Sequence, residues 1–264
     1  MATPLRPGLS LATVAGVIER AFSMSKLPSV AIAINSPGGS PAQSHLIYKR
    51  VRQLAGERKK RVYVFCEDVA ASGGYFLALA GDEIYADPSS IVGSIGVISA
   101  SFGLDKAIDK LGIERRIYTS GRSKSFLDPF RPENADDVAR LKDVQRDVHD
   151  AFIAIVRERR AGKLPQDDAH LFTGAFWAAG KARDLGLIDG IDDMRSKMRA
   201  LHGENVRLRI VSPSSGGLLG RLLRPRLSYR PPSTWRAGAL DAGHFADGLL
   251  SAVERRSLWS RYGF

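Results

Sequence analysis

Only one cysteine, Cys66, occurs in the 264 residues of the chain, which excludes an internal disulfide and indicates a reducing compartment. No stretch approaches the roughly 20 uninterrupted apolar residues that a membrane-spanning helix needs. The N-terminus also has no basic segment followed by a long apolar one, which a secretory signal would require. We therefore expect a cytoplasmic protein that is soluble or peripheral at the inner membrane.

Signatures of DNA, RNA and metal binding are also missing. The sequence has no helix-turn-helix pattern, no zinc-ligand spacing and no arginine run interleaved with aromatic residues. The net charge of +11 favours anionic partners in general, but without such a motif we expect no nucleic acid partner. No metal and no cofactor are implied.

The hydrophobic pattern, by contrast, is rich in structural information. Helical spacing at 9–25, 42–58, 105–111 and 134–160 alternates with short apolar runs at 29–34, 62–66, 84–86, 91–99 and 114–118, which predict strands. Strands that alternate with helices predict an α/β fold with a mainly parallel sheet and flanking helices. Cys66 ends one of the apolar runs, and we expect it to be buried in a strand.

A change in composition near residue 204 predicts two regions. Residues 1–203 carry the α/β pattern, and residues 204–264 form a proline-rich tail with ten arginines, no lysine and four acidic residues. We expect this tail to be partly disordered. Leucines among arginines at 218–226 are compatible with a turn at a membrane surface, and a solvated tail or an oligomer contact is the alternative.

Ser72 is the first candidate for chemistry, because Ala-Ser-Gly-Gly at 71–74 lies between the end of a predicted strand and an apolar helix. Small flanking residues let a substrate carbonyl approach closely, and the Gly73 amide is placed to bind an oxyanion. The same tetrapeptide also occurs where a helix simply begins.

A second glycine loop strengthens this interpretation. Asn-Ser-Pro-Gly-Gly at 35–39 follows another predicted strand, and Gly39 is a candidate for a second oxyanion donor. Both loops follow the carboxyl ends of strands, where α/β folds place their sites. The alternative is that the glycine pair only makes a tight turn.

A nucleophilic serine needs a base, and the histidines give no clear candidate. His45, His149, His170, His202 and His244 do not lie in loops after strands near Ser72, and the first two fall in predicted helices where surface positions are expected. A Ser-His-Asp triad stays open, but nothing places one. Lys124, in a polar loop after a predicted strand, is the better base if burial or the nearby cation Arg122 favours its neutral form.

Four ordered motifs resemble the signal peptide peptidase A / protease IV family of serine proteases, which has the Clp-protease/crotonase-like fold. They are Asn-Ser-Pro-Gly-Gly at 35–39, Ala-Ser-Gly-Gly-Tyr at 71–75, Val-Gly-Ser-Ile-Gly-Val at 92–97 and Ser-Gly-x-x-Lys at 120–124. The resemblance covers about 30–190. It implies that Ser72 is the nucleophile, that Lys124 is the general base, that Ser94 orients the lysine, and that the Gly39 and Gly73 amides bind the oxyanion.

The resemblance also implies a function and a partner. It predicts a serine endopeptidase that cleaves signal peptides or membrane-protein segments, acts as a homo-oligomer and uses no cofactor. The sequence departs from the family pattern in a shorter segment before Val30 and a loosely matching stretch at 126–130. Two alternatives stay open, namely a crotonase-type acyl-CoA enzyme and an inactive scaffold that binds membrane-protein segments.

Overall fold

Helices and strands alternate along most of the chain, in the order that the hydrophobic pattern predicts. The computed structural model describes residues 9–121, 123–211, 259–260 and 262. The helices of this part of the chain are α1 (Leu11–Ser23), α2 (Pro41–Arg58), α3 (Gly73–Ala78), α4 (Asp105–Lys110), α5 (Ala135–Arg159), α6 (Ala179–Asp184) and α7 (Met194–His202). Its strands are β1 (Ser29–Ser36), β2 (Arg61–Ala71), β3 (Glu83–Ala86), β4 (Ile91–Gly93), β5 (Phe176–Ala178) and β6 (Gly190–Ile191).

Strand β2 is the centre of the six-stranded sheet. Strand β1 pairs along one edge of β2, while β3 and β4 share the other edge, β4 pairing opposite residues 69–71. Strand β6 pairs with β3, and all of these pairs are parallel; only β5 runs antiparallel, beside β4. The predicted α/β fold with a mainly parallel sheet is confirmed.

Side chains at the helix ends explain where the helices begin. Ser10 and Thr13 form a capping box at the start of α1, in which each side chain accepts a hydrogen bond from the other residue's backbone amide. Ser40 caps α2, and Pro41 occupies its first turn, where a missing amide hydrogen costs nothing. Asn134 caps α5 by accepting hydrogen bonds from the next turn. Three of the predicted helix starts thus have a local chemical cause.

The main core lies on the sheet face that α2, α3 and α5 cover. Residues of β2 with alternating positions point into it, and their partners on the helices are also buried, including Val62, Val64, Cys66, Leu54, Tyr75 and Val156. The predicted burial of Cys66 is confirmed, and burial raises the pKa of its thiol to about 12. A smaller cluster on the opposite face joins Tyr63, Phe65 and Tyr85 to Met198 of α7.

A buried ion pair fastens the end of α5 to the sheet. Arg160 is 2% exposed, and its guanidinium donates to Asp189 at 2.8 Å and to the Gly186 carbonyl at 2.7 Å. Asp189 also accepts from the Ile84 amide of β3 and from Lys163. Burial alone would raise the pKa of Asp189, but the hydrogen bonds from Arg160 and Lys163 outweigh it and lower that pKa below its ordinary value.

Several predicted elements differ from the structure. Residues 114–118 are not a strand, because three consecutive charged residues there face solvent and no neighbouring strand pairs with them. Of 91–99, only Ile91–Gly93 is a strand, since Ser94 turns the chain away with a positive φ of 53°. Strand β2 continues to Ala71, well past the predicted 62–66, and the prediction missed β5, α6, β6 and α7.

No helix within the described ranges is long and apolar enough to cross a bilayer. The leucine- and arginine-rich segment at 218–226 lies outside the described residues, so the membrane-surface and oligomer roles of the tail stay predictions.

Candidate active site

Ser72 occupies a strained backbone position between β2 and α3. Its φ of 51° and ψ of −122° are unusual for a residue with a side chain. The strand holds it on one side, because Ala71 pairs with Gly93 of β4 and the Ser72 amide donates to the Gly93 carbonyl at 2.8 Å. A serine on a sharp, strained turn from strand to helix presents its hydroxyl at the edge of a sheet, the arrangement of hydrolase nucleophiles.

The two glycine loops converge on this serine. A Cβ atom placed on Gly38 would lie 3.0 Å from Ser72 Cβ and 3.3 Å from Ser72 Oγ. A Cβ atom placed on Gly73 would lie 3.1 Å from the Gly39 amide nitrogen. The structure therefore brings the 35–39 and 71–74 loops together, with Gly38 against the Ser72 side chain and the Gly39 amide against Gly73.

Three further residues complete the packing and were not singled out from the sequence. Gly38 has a φ of 126° and leaves room for the serine. Gly74 faces the Ser36 carbonyl so closely that a side chain would overlap it. Ser44 of α2 is buried, and its Oγ would lie 2.7 Å from a Cβ on Gly73. The glycine content was a signal for the first two, whereas a serine inside a helix carried none.

Ser94 lies in the next loop, directly after β4. It is 5% exposed, has a positive φ of 53°, and its amide donates to the Ala175 carbonyl at 2.7 Å. The preceding Gly93 lies against the Trp177 ring, which a Cβ would meet at 2.9 Å. Because the Gly93 carbonyl also accepts the Ser72 amide, Ser94 directly follows a backbone hydrogen-bond partner of Ser72.

Lys124 lies in a different environment. It is exposed in a turn, and its side chain makes no hydrogen bond or ion pair with any described residue. Its neighbours are fixed to α5, since Arg140 donates to Ser123 Oγ at 2.9 Å and Asp137 accepts from the Leu127 amide at 3.2 Å. No hydrogen bond joins Lys124 to Ser72 or Ser94 in the described chain, and Arg122 lies outside the described residues.

The chain between Ser94 and Lys124 exposes an unusual number of large apolar side chains. Those more than half exposed are Ile98, Phe102, Leu111, Ile113 and Tyr118. Apart from α4, the stretch 97–121 has no helix or strand. Exposed apolar surface of this kind is typical of a surface that another chain covers.

The described histidines contact groups other than Ser72. His45 and His149 were expected at the surface and are instead partly buried: His45 packs near the rings of Tyr48 and Phe76, and His149 contacts the Ile95 carbonyl. His202 contacts Ser29 Oγ at 2.7 Å. His244 lies outside the described residues, and no described histidine hydrogen-bonds to Ser72.

A cleft of about 1200 Å³ runs along β1 and is lined by α1, α7 and residues 206–211. Its lining does not include Ser72, Gly73 or Lys124, so this space is separate from the serine. Within the described ranges no group of three histidine, cysteine or acidic side chains could hold a metal ion.

Comparison with known proteins places the chain in a family. The sequence profile of peptidase family S49 matches residues 55–205, more than half of the chain, and includes Ser72, Ser94 and Lys124. The chain is 31% identical over 170 residues to the "Serine protease SPPA, chloroplastic" of Arabidopsis thaliana, covering 63% of this chain and 24% of that protein. It is 29% identical over 187 residues to "Protease 4" of Haemophilus influenzae, covering 68% of this chain and 29% of that protein.

One similar protein bears an unrelated name. The chain is 56% identical over 261 residues to the "Na(+)/H(+) antiporter NhaA" of Brucella abortus, which covers 99% of this chain but only 35% of that protein. The chain thus spans about a third of that relative's length. The profile match and the sheet confirm the resemblance to signal peptide peptidase A and the Clp-protease-like fold. The chain belongs to peptidase family S49.

Proposed function

We propose that the protein is a serine endopeptidase in which Ser72 is the nucleophile and Lys124 the general base. The observation that carries this proposal is the packing around Ser72, where a strained serine in a chain of a peptidase family has Gly38 against its side chain and the Gly39 amide against the adjoining Gly73. Two amides beside a hydroxyl match the needs of acyl transfer, because the charge that develops on the substrate oxygen requires preorganised donors.

The proposed reaction has two steps. Neutral Lys124 takes the proton of the Ser72 hydroxyl while Ser72 Oγ attacks the peptide carbonyl, and the amides of Gly39 and Gly73 hold the resulting oxyanion. The lysine then gives its proton to the leaving amine, which produces an acyl-enzyme and a free new N-terminus. A water molecule, deprotonated by the same lysine, hydrolyses the ester and restores Ser72. Ser94 orients the lysine amine during both steps.

This mechanism requires Lys124 to leave solvent, because an exposed lysine is protonated at neutral pH. We propose that a homo-oligomer supplies the cover. The apolar side chains of Phe102, Leu111 and Tyr118 precede Lys124 in the same exposed stretch, and a neighbouring subunit that buries them would desolvate the lysine as well. Assembly would thereby complete the dyad.

Unfolded apolar polypeptides are the proposed substrates, in particular signal peptides or membrane-protein segments. Similarity to a protein named a serine protease supports the reaction. Nearly the whole chain is similar to part of a protein named a sodium/proton antiporter. This similarity supports a location beside a membrane transport protein. We propose that this unit acts at a membrane face, without a cofactor.

The proposal is tested by Ser72→Ala, Lys124→Ala and Lys124→Arg, each assayed as an assembled protein on an unfolded apolar peptide. All three variants should lose cleavage, since arginine keeps the charge but is not a base at neutral pH. Cleavage by Lys124→Ala at the wild-type rate would refute the dyad.

A fluorophosphonate probe separates the remaining alternatives. Stoichiometric labelling of wild type but not of Ser72→Ala supports a serine peptidase. A crotonase-type acyl-CoA enzyme would not need Ser72 and would turn over a thioester without labelling. A scaffold would bind the peptide but neither cleave it nor react.

A further inference from the structure

His149 makes a contact that the proposed reaction does not use. It lies near the middle of α5, is partly buried, and places Nε2 at 3.1 Å from the carbonyl oxygen of Ile95. A carbonyl oxygen only accepts, so Nε2 carries the hydrogen and donates it. Ile95 itself is fully buried. The helix therefore reaches into the loop that follows β4 through one polar side chain.

Besides the burial of Ile95 and the contact of Gly93 with Trp177, three backbone hydrogen bonds hold that loop. The Ile95 carbonyl also accepts from the Gly174 amide at 3.2 Å, and the Ser94 amide donates to the Ala175 carbonyl at 2.7 Å. At its start, the Gly93 carbonyl accepts the Ser72 amide at 2.8 Å. One side of the loop thus touches the serine, and the other side is held by residues 174–175 and by His149.

The loop needs this support because its backbone is strained. Ser94 has a φ of 53° and Gly93 a φ of 118°, conformations that persist only where the surroundings impose them. Without the histidine, a buried carbonyl would lose one of its two donors, and the strained turn would have less to oppose its relaxation.

We propose that His149 is a positioning residue that holds the loop at residues 93–96 in place for Ser72 and Ser94. The structural part of this inference stands on the contacts alone, and its effect on turnover rests on the proposed function. His149 does not touch the substrate in this role and transfers no proton.

The same helix also holds the loop of the proposed base. Arg140 donates to Ser123 and Asp137 accepts from Leu127, on either side of Lys124. Arg140 and His149 are nine residues apart in sequence, which is about 13.5 Å along a helix axis. Helix α5 therefore gives both loops a common rigid reference, and His149 is its contact with the serine side.

The test compares His149→Leu, His149→Gln and a matched control, Gln145→Leu. Gln145 is one turn before His149, is also partly buried and makes no hydrogen bond within the described chain. The glutamine amide nitrogen replaces Nε2 as a donor. Two measurements are made on the assembled protein: hydrogen exchange of the Ser94 and Gly174 amides, and kcat and KM on an unfolded apolar peptide.

His149→Leu should speed exchange of both amides about fivefold, the effect of losing one hydrogen bond. It should lower kcat about tenfold with KM nearly unchanged, because a small displacement of reacting groups affects the chemical step. His149→Gln should restore both, and Gln145→Leu should change neither. An exchange rate and a kcat within twofold of wild type in His149→Leu would overturn the inference, as would equal effects of Gln145→Leu.

The exchange measurement keeps the two proposals apart. If wild type cleaves nothing but His149→Leu still loosens the Ser94 and Gly174 amides, the proposed function fails and the positioning role stands. If wild type cleaves and the amides do not respond, the positioning role fails and the peptidase stands.

Discussion

The surroundings of Ser72 and of Lys124 differ sharply. Around the serine, β2 and α3 are buried, three glycines are in tight contact with their neighbours, and hydrogen bonds fix the backbone on both sides. Around the lysine, the described residues between 97 and 130 contain one six-residue helix, and most of their side chains face solvent. One half of the proposed dyad is built into the core, and the other lies on an open surface.

In the proposed mechanism, folding of one chain positions Ser72, and assembly with a second chain buries Lys124. A single chain positions Ser72 and the adjoining glycine loops, because they are packed against the core. Lys124 has no such constraint in one chain, which is why we propose that a second subunit supplies the environment of the proposed base. Three variants test this difference, each altering one region and leaving the other intact.

The largest effect is expected from Gly38→Ala. The added methyl group would lie 3.0 Å from Ser72 Cβ at a backbone φ of 126°, so either the serine or the loop must move. We expect kcat/KM to fall about 100- to 1,000-fold, the range for losing a positioned oxyanion donor or nucleophile. Peptide hydrolysis and the melting temperature are the measurements.

Gly39→Ala is the matched control for that substitution. A Cβ on Gly39 meets nothing within 4 Å, and alanine keeps the backbone amide that the proposal uses. Activity should stay within a few-fold of wild type. Equal losses in the two variants would show that the loop as a whole, and not the approach of Gly38 to Ser72, controls the reaction.

Asp189→Asn should lower the stability of the buried sheet and α5 and leave the loop that carries Lys124 unchanged. It leaves the Arg160 guanidinium, 2% exposed, without its carboxylate, which we expect to lower the free energy of unfolding by about 3 kcal/mol. The pKa of Asp189 is lowered in the folded state, so its contribution to stability is complete about one pH unit above the unfolded-state pKa of about 3.9 and is lost as the pH falls through the lower folded-state pKa.

Urea unfolding of wild type and Asp189→Asn between pH 7 and pH 3 measures this contribution. The difference between them should be constant above about pH 5 and should shrink toward pH 3. Asp184→Asn is the control, since the Arg183–Asp184 pair is exposed and should contribute less than about 1 kcal/mol. A difference that grows on acidification would contradict the assigned pKa direction.

The smallest effect is expected from Phe102→Ser combined with Leu111→Ser. These side chains are 76% and 72% exposed, so their loss should leave the melting temperature of the chain nearly unchanged. If a second subunit covers them, the oligomer should weaken and activity at dilute concentration should fall about tenfold. Gel filtration and a dilution series of activity are the measurements.

Ile210→Ser serves as the control for that pair, because Ile210 is 94% exposed at the far end of the described chain. A monomer that is fully active with or without Phe102 and Leu111 would remove the contrast between the two regions, since the base would then be complete in one chain.

Prediction from the sequence succeeds where a local pattern has a local cause. The caps at Ser10, Ser40 and Asn134 fix three helix starts, and apolar runs identify β1, β2 and β3. The approach of the two glycine loops also follows from their places after parallel strands. These features depend on spacing of a few residues, which the sequence displays directly.

Features that depend on distant partners escape such analysis. Strand β5 is three residues long and forms because β4 pairs with it. No local sequence pattern predicts this pairing. Residues 114–118 were predicted as a strand but pair with no strand of the described chain. His149 lies among charged residues in the sequence, and it was therefore expected at the surface. The fold brings the Ile95 carbonyl against it, which the local sequence does not indicate. The location of Lys124 relative to Ser72 depends in the same way on contacts beyond the local sequence.

The backbone of Ser72 also connects stability with selection. A serine with φ of 51° and ψ of −122° costs the folded state about 1–3 kcal/mol that glycine at the same position would not. The proposed nucleophile therefore lowers the stability of the fold relative to a variant with glycine at this position. A Ser72→Gly substitution would raise the stability of the fold but remove the hydroxyl. A chain that did not need this hydroxyl would therefore be more stable with glycine at position 72.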